Sequence, residues 1–337
     1  MSYLRCTPAI AILFIIALAS LAVADGCMIA PWQLEIYETA QIAYLDYDAD
    51  SGLEILHILP KFHGDTQNFA WIIPVPGLPE LAESDADIFR ELSNLTAAEY
   101  RYRDQGFGCE MFGNSISPGA DEAGVEIIEE ELVGIYQTMI LGADNADALT
   151  DSLMAWGFLH DGNIDEVSAM LASYVDEEWY FVTLKVDSTA FGEAEPDWYD
   201  DYAMYPIELT FAVDAPVYPM RISAISAADD TSVTLYVKTD HRMDFDGAET
   251  RYANQLTRGE ALALQANYPT LGQLFEEGDF LTKLVRNYTP EQMDADLYPE
   301  PADSNTEYRR IYYSGFPLSA ALLLVMGAAL LIRTRRR

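Results

Sequence analysis

Apolar and polar residues alternate along several stretches of this chain, which is typical of β-strands with one buried face. The pattern appears first in QLEIYETAQIAYLDY, residues 33–47, and returns in LEILHILP from Leu53 and NFAWIIPV from Asn68. Short polar turns separate these three segments, so we expect an antiparallel meander. Strand character is also predicted for residues 125–141, 178–186, 206–213, 231–239 and 279–285.

Other segments place apolar residues three or four positions apart, which is the spacing of a helix with one buried face. The stretch SDADIFRELSNL predicts a helix with Ser84 as its N-cap and acidic residues in its first turn. Residues 145–159 and 163–175 show the same periodicity.

Two threonines mark further helix starts near the end of the chain. Thr257 stands three residues before Glu260, and Thr289 stands three residues before Gln292, which is the capping-box spacing. Strands and helices alternate without a regular βαβ repeat, so the sequence predicts an α+β fold with a largely antiparallel sheet and packed helices. The Gly-rich residues 105–124 are predicted to be loop, and any division into two subdomains is expected there.

The N-terminus has the pattern of a signal peptide, predicted to span residues 1–24. Arg5 precedes an apolar run from Ala9 to Val23, and small residues stand at Ala22 and Ala24. A lipidated Cys27 is a weaker alternative, because no large aliphatic residue stands three positions before it. An uncleaved anchor is also weaker, because the apolar run is shorter than the roughly 20 residues of a spanning helix.

Residues 311–332 are uncharged and apolar and precede the basic tail 333–337, which predicts a transmembrane helix with its tail in the cytoplasm. Residues 25–297 would then form an extracytoplasmic domain, and residues 298–310 an acidic, Pro-containing stalk. We therefore expect an exported single-pass membrane protein. A sorting signal whose helix is removed by an enzyme is the alternative.

The charge excludes one class of partner. Between the two terminal segments stand 14 basic and all 55 acidic residues, a formal net charge of −41. Such a domain repels nucleic acid and anionic lipid head groups. The expected partners are the membrane, through the C-terminal helix, and an unidentified protein or envelope polymer. The acidity itself fits either adaptation to salt or binding of cations and basic partners.

Two cysteines, Cys27 and Cys109, remain outside the signal peptide. In an exported chain they predict a disulfide bond. Two free buried thiols are the alternative.

The sequence contains no nucleophile elbow, no phosphate-binding Gly-rich loop with Lys and no paired histidines on one helix face. His57 lies in a strand pattern and is predicted to be a core residue. Asp46, Asp48 and Asp50 alternate before a turn, and oxygen ligands at this spacing suit calcium. A polar hairpin turn explains the same residues and is preferred, because Ser51 and His57 stand where an EF-hand has Gly and Glu.

The segment FAWIIPVPGLPEL gives the chain a recognisable motif, formed by Phe69, Trp71, Pro74, Pro76 and Pro79. Together with the later segments PIELTFAVDAPVYPMRI and LTKLVRNYTPEQMDADL, it resembles the exported prokaryotic family catalogued as domain of unknown function 2330. The resemblance covers roughly Cys27 to Leu297. It implies a signal peptide and a C-terminal hydrophobic tail, and it assigns no activity. Relatives are richer in cysteine near the mature N-terminus, so a family metal site or disulfide network does not carry over.

We interpret the motif as structural, with Trp71 as a core anchor and the prolines ending a strand and leading the chain to the next helix. Three functions remain open. The favoured one is a non-enzymatic binding or envelope-organisation module held at the membrane. The others are an envelope hydrolase that uses carboxylate acid/base chemistry and a calcium-dependent surface module.

Overall fold

The computed structural model describes residues 27–29, 37–63, 70–102, 130–143, 145–157, 159, 164–186, 205–227 and 231–314. The strands are β1 Cys27–Ile29, β2 Tyr37–Asp48, β3 Leu53–His63, β4 Ala70–Val75, β5 Glu80–Glu83, β6 Glu99–Tyr102, β7 Glu130–Val133, β8 Tyr136–Gly142, β9 Tyr180–Val186, β10 Ile207–Ala212, β11 Thr231–Thr239, β12 Met243–Asp244, β13 Glu249–Gln255, β14 Phe280–Tyr288, β15 Glu300–Pro301, β16 Tyr308–Arg309 and β17 Ile311–Ser314. The α-helices are α1 Asp87–Leu95, α2 Ala146–Ala155, α3 Ile164–Asp176, α4 Arg258–Asn267 and α5 Leu271–Leu274, and the 3-10 helices are η1 Arg221–Ile225 and η2 Pro290–Gln292.

The larger of the two main sheets has eight strands in the order β16-β13-β14-β11-β2-β3-β10-β5. Its centre is the hairpin of β2 and β3, in which Tyr44 lies opposite His57. Neighbouring strands are antiparallel except for β2 and β11, which are parallel. The fold is therefore α+β and dominated by antiparallel sheets, as the sequence predicts.

The pairing of strand β4 differs from the predicted meander. It is a strand, but it pairs with β9 and β1 in a five-stranded sheet of order β1-β4-β9-β8-β7, and not with β3. Residues Trp71 to Val75 are all buried, and successive residues of a strand point to opposite faces. A strand that is apolar on both faces needs cover on both faces. The apolar cluster around β4 includes residues of the larger sheet and of α2 and α3, such as Leu56, Leu153 and Leu171.

A single apolar cluster joins the two sheets. It contains Trp71 and Phe181 from the smaller sheet, Leu56 and Leu235 from the larger one, and Leu171 from α3. The opposite face of the larger sheet packs against α1, α4 and α5 through a second cluster. The larger sheet therefore lies between the smaller sheet and these three helices.

The start of α1 differs from the prediction, because its N-cap is Ala86 and not Ser84. Ser84 follows directly after β5, and its N–H still lies 3.4 Å from the carbonyl of Pro206, so the chain is extended there. The carboxylate of Asp85 accepts a 2.9 Å hydrogen bond from the N–H of Asp87 instead.

The two predicted capping boxes have different outcomes. Thr257 and Glu260 form the expected reciprocal hydrogen bonds at the start of α4. The N–H of Thr289 donates a 3.0 Å hydrogen bond to Gln292 Oε1, but only the single 3-10 turn η2 follows.

The chain returns to the body of the protein near its C-terminal end. Strand β15 pairs with β12, β16 pairs with β13, and β17 pairs with β6 in parallel. Residues 300–301 and 308–309 of the predicted stalk and the first four residues of the predicted transmembrane segment therefore lie in paired strands. In the part of the chain that the structure describes, no helix combines the length and apolarity needed to span a bilayer.

Candidate functional site

A cavity of about 430 Å³ opens between four parts of the chain. Its walls come from Met220 before η1, from Phe245 and Asp246 after β12, from the end of β14, and from residues 292–300. Its volume lies in the range of small-ligand sites, about 300–1,000 Å³.

Charged groups of both signs line this cavity, with carboxylates in excess. The carboxylates belong to Asp246, Asp294, Asp296 and Glu300, and Arg286 is the lining cation. Among the described residues, Asp294 and Glu300 have no ion-pair partner. The cavity therefore presents uncompensated negative charge to a ligand.

Asp296 is the most deeply buried of these acids, with a side chain only 2% exposed. Its Oδ1 accepts a 2.7 Å hydrogen bond from the hydroxyl of Tyr174 and a 2.9 Å hydrogen bond from the N–H of Arg221. Its Oδ2 lies 3.1 Å from the guanidinium of Arg221. Burial raises the pKa of Asp296, and these contacts oppose that rise.

Arg221 connects this wall to helix α3. Its guanidinium donates two hydrogen bonds of 2.8 and 2.9 Å to the carboxylate of Glu177 and lies 4.1 Å from the centre of the Tyr174 ring. A bidentate pair fixes the guanidinium in one plane. The Asp296 side of the cavity is thus already assembled before any ligand arrives.

Arg286 lies on the other side of the cavity, stacked 4.3 Å above the centre of the Tyr288 ring. Its Nη1 donates a hydrogen bond of 2.5 Å to the carbonyl of Asp246. Gly247 makes this position possible, because a Cβ there would lie only 2.9 Å from Arg286 Cζ and its φ is +70°. The wall of the cavity therefore holds the guanidinium of Arg286 flat against the Tyr288 ring.

The hydroxyl of Tyr288 is buried, and its charged neighbour is the guanidinium of Arg286. The residue is 2% exposed and lines the cavity. Burial raises the pKa of Tyr288, so the phenol stays protonated at neutral pH.

The predicted calcium ligands are held by other contacts. Asp46 lies 2.9 Å from the Nζ of Lys238, which also donates to the carbonyl of Leu274. Asp48 accepts hydrogen bonds from the N–H of Asp50 at 3.0 Å and the hydroxyl of Ser51 at 2.6 Å. These contacts are those of a polar turn, and the described residues contain no group of three or more His, Cys, Asp or Glu placed to hold a metal.

A serine, a histidine and a glutamate also lie close together, although no sequence motif predicts this. His57 Nδ1 lies 2.9 Å from Ser84 Oγ and 3.7 Å from Glu208 Oε2. In a catalytic triad the serine and the acid contact opposite ring nitrogens, whereas here both face the same one. His57 also stacks on Tyr44 at 5.3 Å between ring centres, so we interpret the group as a buried polar connection between β3, β5 and β10.

The described residues of the sequence motif have structural surroundings. Trp71 is fully buried, with its ring 6.4 Å from that of Tyr136. Pro74 lies opposite Phe181, beyond the three residues that β1 pairs with, and a proline is tolerated where a strand lacks a second partner. Pro76 is half-buried and Pro79 is buried.

Some predicted positions lie outside the described residues. Cys27 lies in β1 opposite Ile72, but Cys109 and Phe69 fall outside the described residues, so the disulfide stays a prediction. The predicted signal peptide and residues 315–337 also fall outside them.

Comparisons with other proteins place the chain in a family. The comparison with curated proteins gives no match. The crystal structure of baculovirus P35 is a remote structural neighbour, at 11% sequence identity and a TM-score of 0.34, with 83% of this chain and 98% of that chain covered. The sequence model of one family matches residues 20–298. The chain therefore belongs to the family described as an uncharacterized protein conserved in bacteria, DUF2330.

Proposed function

We propose that the protein is a membrane-anchored domain outside the cytoplasm that binds a partner in the acidic cavity and does not transform it chemically. The observation behind this proposal is the cavity of about 430 Å³, in which apolar walls, aromatic rings and polar groups from separate elements converge. Such convergence is typical of ligand sites.

The contacts of Asp296 make it unsuitable as a general acid or base. A general acid or base has to exchange a proton with its substrate and so needs a free oxygen. Both oxygens of Asp296 are engaged by Tyr174 and Arg221, which makes the carboxylate a fixed part of the wall. The group of His57, Ser84 and Glu208 lacks the geometry of a nucleophile relay.

The proposed location follows from the two terminal segments. The signal-peptide pattern of residues 1–24 would export the chain. Strand β17 ends at Ser314, and the apolar residues 315–332 that follow still fall in the range of about 17–25 residues for a spanning helix. The arginines 333–337 would then keep the tail in the cytoplasm.

Location is tested with cells that express the protein with one tag at each end of the mature chain. Protease is added to these cells either intact or lysed. We expect protease to digest the domain when the outer layers are permeabilised and the cytoplasmic membrane is intact. A tag after Arg337 should stay protected under the same conditions. Equal protection of both tags would contradict the proposal.

Binding is tested with the purified full-length protein in detergent and a library of small molecules and short peptides. We expect some members to raise the Tm of the protein and to be recovered unchanged by mass spectrometry. Ala295 lies on the cavity wall and is exposed, so Ala295→Trp should fill the cavity and remove the effect. Ala155→Trp, at the exposed end of α2, is the matched control. Conversion of a library member that stops in Ala295→Trp would show an enzyme instead.

A further inference from the structure

We propose that the buried carboxyl of Glu54 is a proton-controlled latch on residues 213–218, the latch segment. While the carboxyl is protonated, the latch segment stays closed and holds one wall of the cavity in place. When the carboxyl ionises, the latch segment opens and the wall loosens. The latch is a property of the fold, and only its consequence for a ligand rests on the proposed binding function.

Glu54 is the second residue of β3, and it is fully buried. Its Oε2 accepts a 2.8 Å hydrogen bond from the N–H of Val217, while its Oε1 has no hydrogen-bond partner among the described residues. Those residues also supply no ion-pair partner for it. Burying an ionised carboxylate without a compensating cation is costly, whereas a neutral carboxyl is tolerated. The closed arrangement is therefore that of the protonated acid.

The surroundings of Glu54 favour its neutral form. Strand β10 places Phe211 directly opposite it, and β2 places Tyr47 opposite it on the other side. The charged groups that act on Tyr47 next to it are Asp48 and Asp214, and both are exposed and acidic. Burial raises the pKa of Glu54 well above its ordinary value, and the hydrogen bond from the latch segment opposes only part of that rise.

Three hydrogen bonds hold the latch segment against the hairpin of β2 and β3. The N–H of Val213 donates a 2.9 Å hydrogen bond to the carbonyl of Gly52, and the hydroxyl of Tyr47 donates a 2.8 Å hydrogen bond to the carbonyl of Asp214. The third is the hydrogen bond to Glu54. The pKa of Tyr47 is raised from 10.0, mainly by burial, so that hydroxyl does not titrate near neutral pH. Only the bond to Glu54 therefore depends on pH between acid and neutral conditions.

The latch segment continues directly into the wall of the cavity. The N–H of Tyr218 donates a 2.8 Å hydrogen bond to the carbonyl of Leu297, and the N–H of Leu297 donates a 2.9 Å hydrogen bond to the carbonyl of Tyr218. Leu297 lines the cavity, as does Met220, two residues beyond Tyr218. Opening of the latch segment would therefore take away the backbone partner that holds Leu297 in the wall.

The direction of the pH effect follows from the two states of the carboxyl. In the open state Glu54 meets water, and its pKa returns to the ordinary value of 4.5. Above that pH the closed state binds a proton that the open state has lost. The stability of the closed state is therefore fully present below about pH 4.5 and falls as pH rises, until pH passes the raised pKa. One proton changes the opening equilibrium by about tenfold per pH unit.

The test is amide hydrogen exchange of the full-length protein in detergent at pH 5, 6, 7 and 8, corrected for the pH dependence of the exchange reaction itself. We expect protection of residues 213–220 and 294–300 to fall together by about tenfold per pH unit from pH 5, until it levels at the raised pKa. Helix α4, on the opposite face of the larger sheet, should show no such change. No ligand is added, so the result is independent of the binding proposal.

Two variants separate the latch from other contacts. Glu54→Gln keeps the shape and an oxygen acceptor but cannot ionise, so protection of residues 213–220 should be the same at all four pH values. Tyr47→Phe removes a hydrogen bond that does not titrate in this range. It should lower protection of the latch segment by about fivefold at every pH and leave the pH dependence unchanged.

Three outcomes would overturn the inference. One is a pH dependence in Glu54→Gln equal to that of the wild type, which would assign it to another group. Another is constant protection of residues 294–300 while that of residues 213–220 falls, which would mean that the latch does not reach the cavity. The third is a parallel fall in α4 of the wild type, which would indicate global unfolding and can be read even if Glu54→Gln does not fold. In each case the library test with Ala295→Trp would still decide the binding function separately.

Discussion

The hydroxyl of Tyr174 donates a 2.7 Å hydrogen bond to Asp296, which lies 122 positions later in the chain. The same hydroxyl accepts a 3.2 Å hydrogen bond from the N–H of Ile222 at the start of η1. One phenol thus holds helix α3, helix η1 and the segment that lines the cavity. The wall of the proposed site therefore depends on a residue that does not itself line it.

We expect Tyr174→Phe to reduce the free energy of unfolding by about 1–3 kcal/mol, because Asp296 and the N–H of Ile222 both lose a buried partner. Urea denaturation of the full-length protein measures this. Tyr308→Phe is the matched control, since Tyr308 is exposed and its hydroxyl has no hydrogen-bond partner among the described residues, and its unfolding energy should barely change. Equal losses in the two variants would show that the Tyr174 hydrogen bonds contribute nothing.

His57 should make stability depend on pH. Burial lowers its pKa from 6.5 to about 4, so the unfolded chain binds a proton between these values that the folded chain does not. Stability therefore falls as pH decreases from 6.5 to 4, by about 3 kcal/mol for this group. Burial raises the pKa of the neighbouring Glu208, which acts in the opposite direction and offsets part of the loss.

The measurement is urea denaturation at pH 7.5 and pH 4.5. His57→Phe keeps an aromatic ring against Tyr44 and should lose less stability between the two pH values than the wild type. His241→Gln changes an exposed histidine and should behave like the wild type. A wild-type pH dependence that survives His57→Phe would contradict the assignment.

Local patterns predict the strands with strong alternation and the helices with clear caps. The predicted capping box of Thr257 and Glu260 is confirmed, because the hydrogen bonds of a capping box form within four consecutive residues. Strand β13 shows no such pattern, since its sequence ETRYANQ is mostly polar and its pairing with β14 and β16 holds it extended. The prediction of Ser84 as the N-cap of α1 is wrong, because β5 pairs with β10 and keeps the chain extended as far as Glu83, directly before Ser84.

The candidate site cannot be predicted from the sequence for a related reason. Its walls come from segments around residues 220, 246, 286 and 296, and nothing in the local sequence shows that they meet. His57 and Glu208 are likewise brought together by the register of β3 and β10, where they are directly opposite. The available local signal is the concentration of acids in residues 291–303.

Calcium should have little effect on stability. Asp46 is held by Lys238, and Asp48 accepts hydrogen bonds within its own turn, so neither presents a free carboxylate to a metal. We expect Tm in 2 mM calcium to equal Tm in a chelator within about 1 °C. A larger shift that disappears in Asp48→Asn would restore the calcium-dependent surface module.

Gly77, in the proline-rich segment after β4, should not tolerate a side chain. A Cβ added there would lie 2.4 Å from the carbonyl oxygen of Ala212, so the segment after β4 approaches the end of β10 too closely for any side chain. Gly77→Ala should therefore lower the free energy of unfolding by about 1–3 kcal/mol, the usual cost of overpacking. Gly259→Ala is the matched control, because a Cβ there meets nothing closer than 4.0 Å in the first turn of α4 and alanine favours helix. That control should be neutral or stabilising by up to about 1 kcal/mol. Equal stability of the two variants in urea would mean that the backbone at Gly77 can move aside, and that the motif does not depend on its contact with β10.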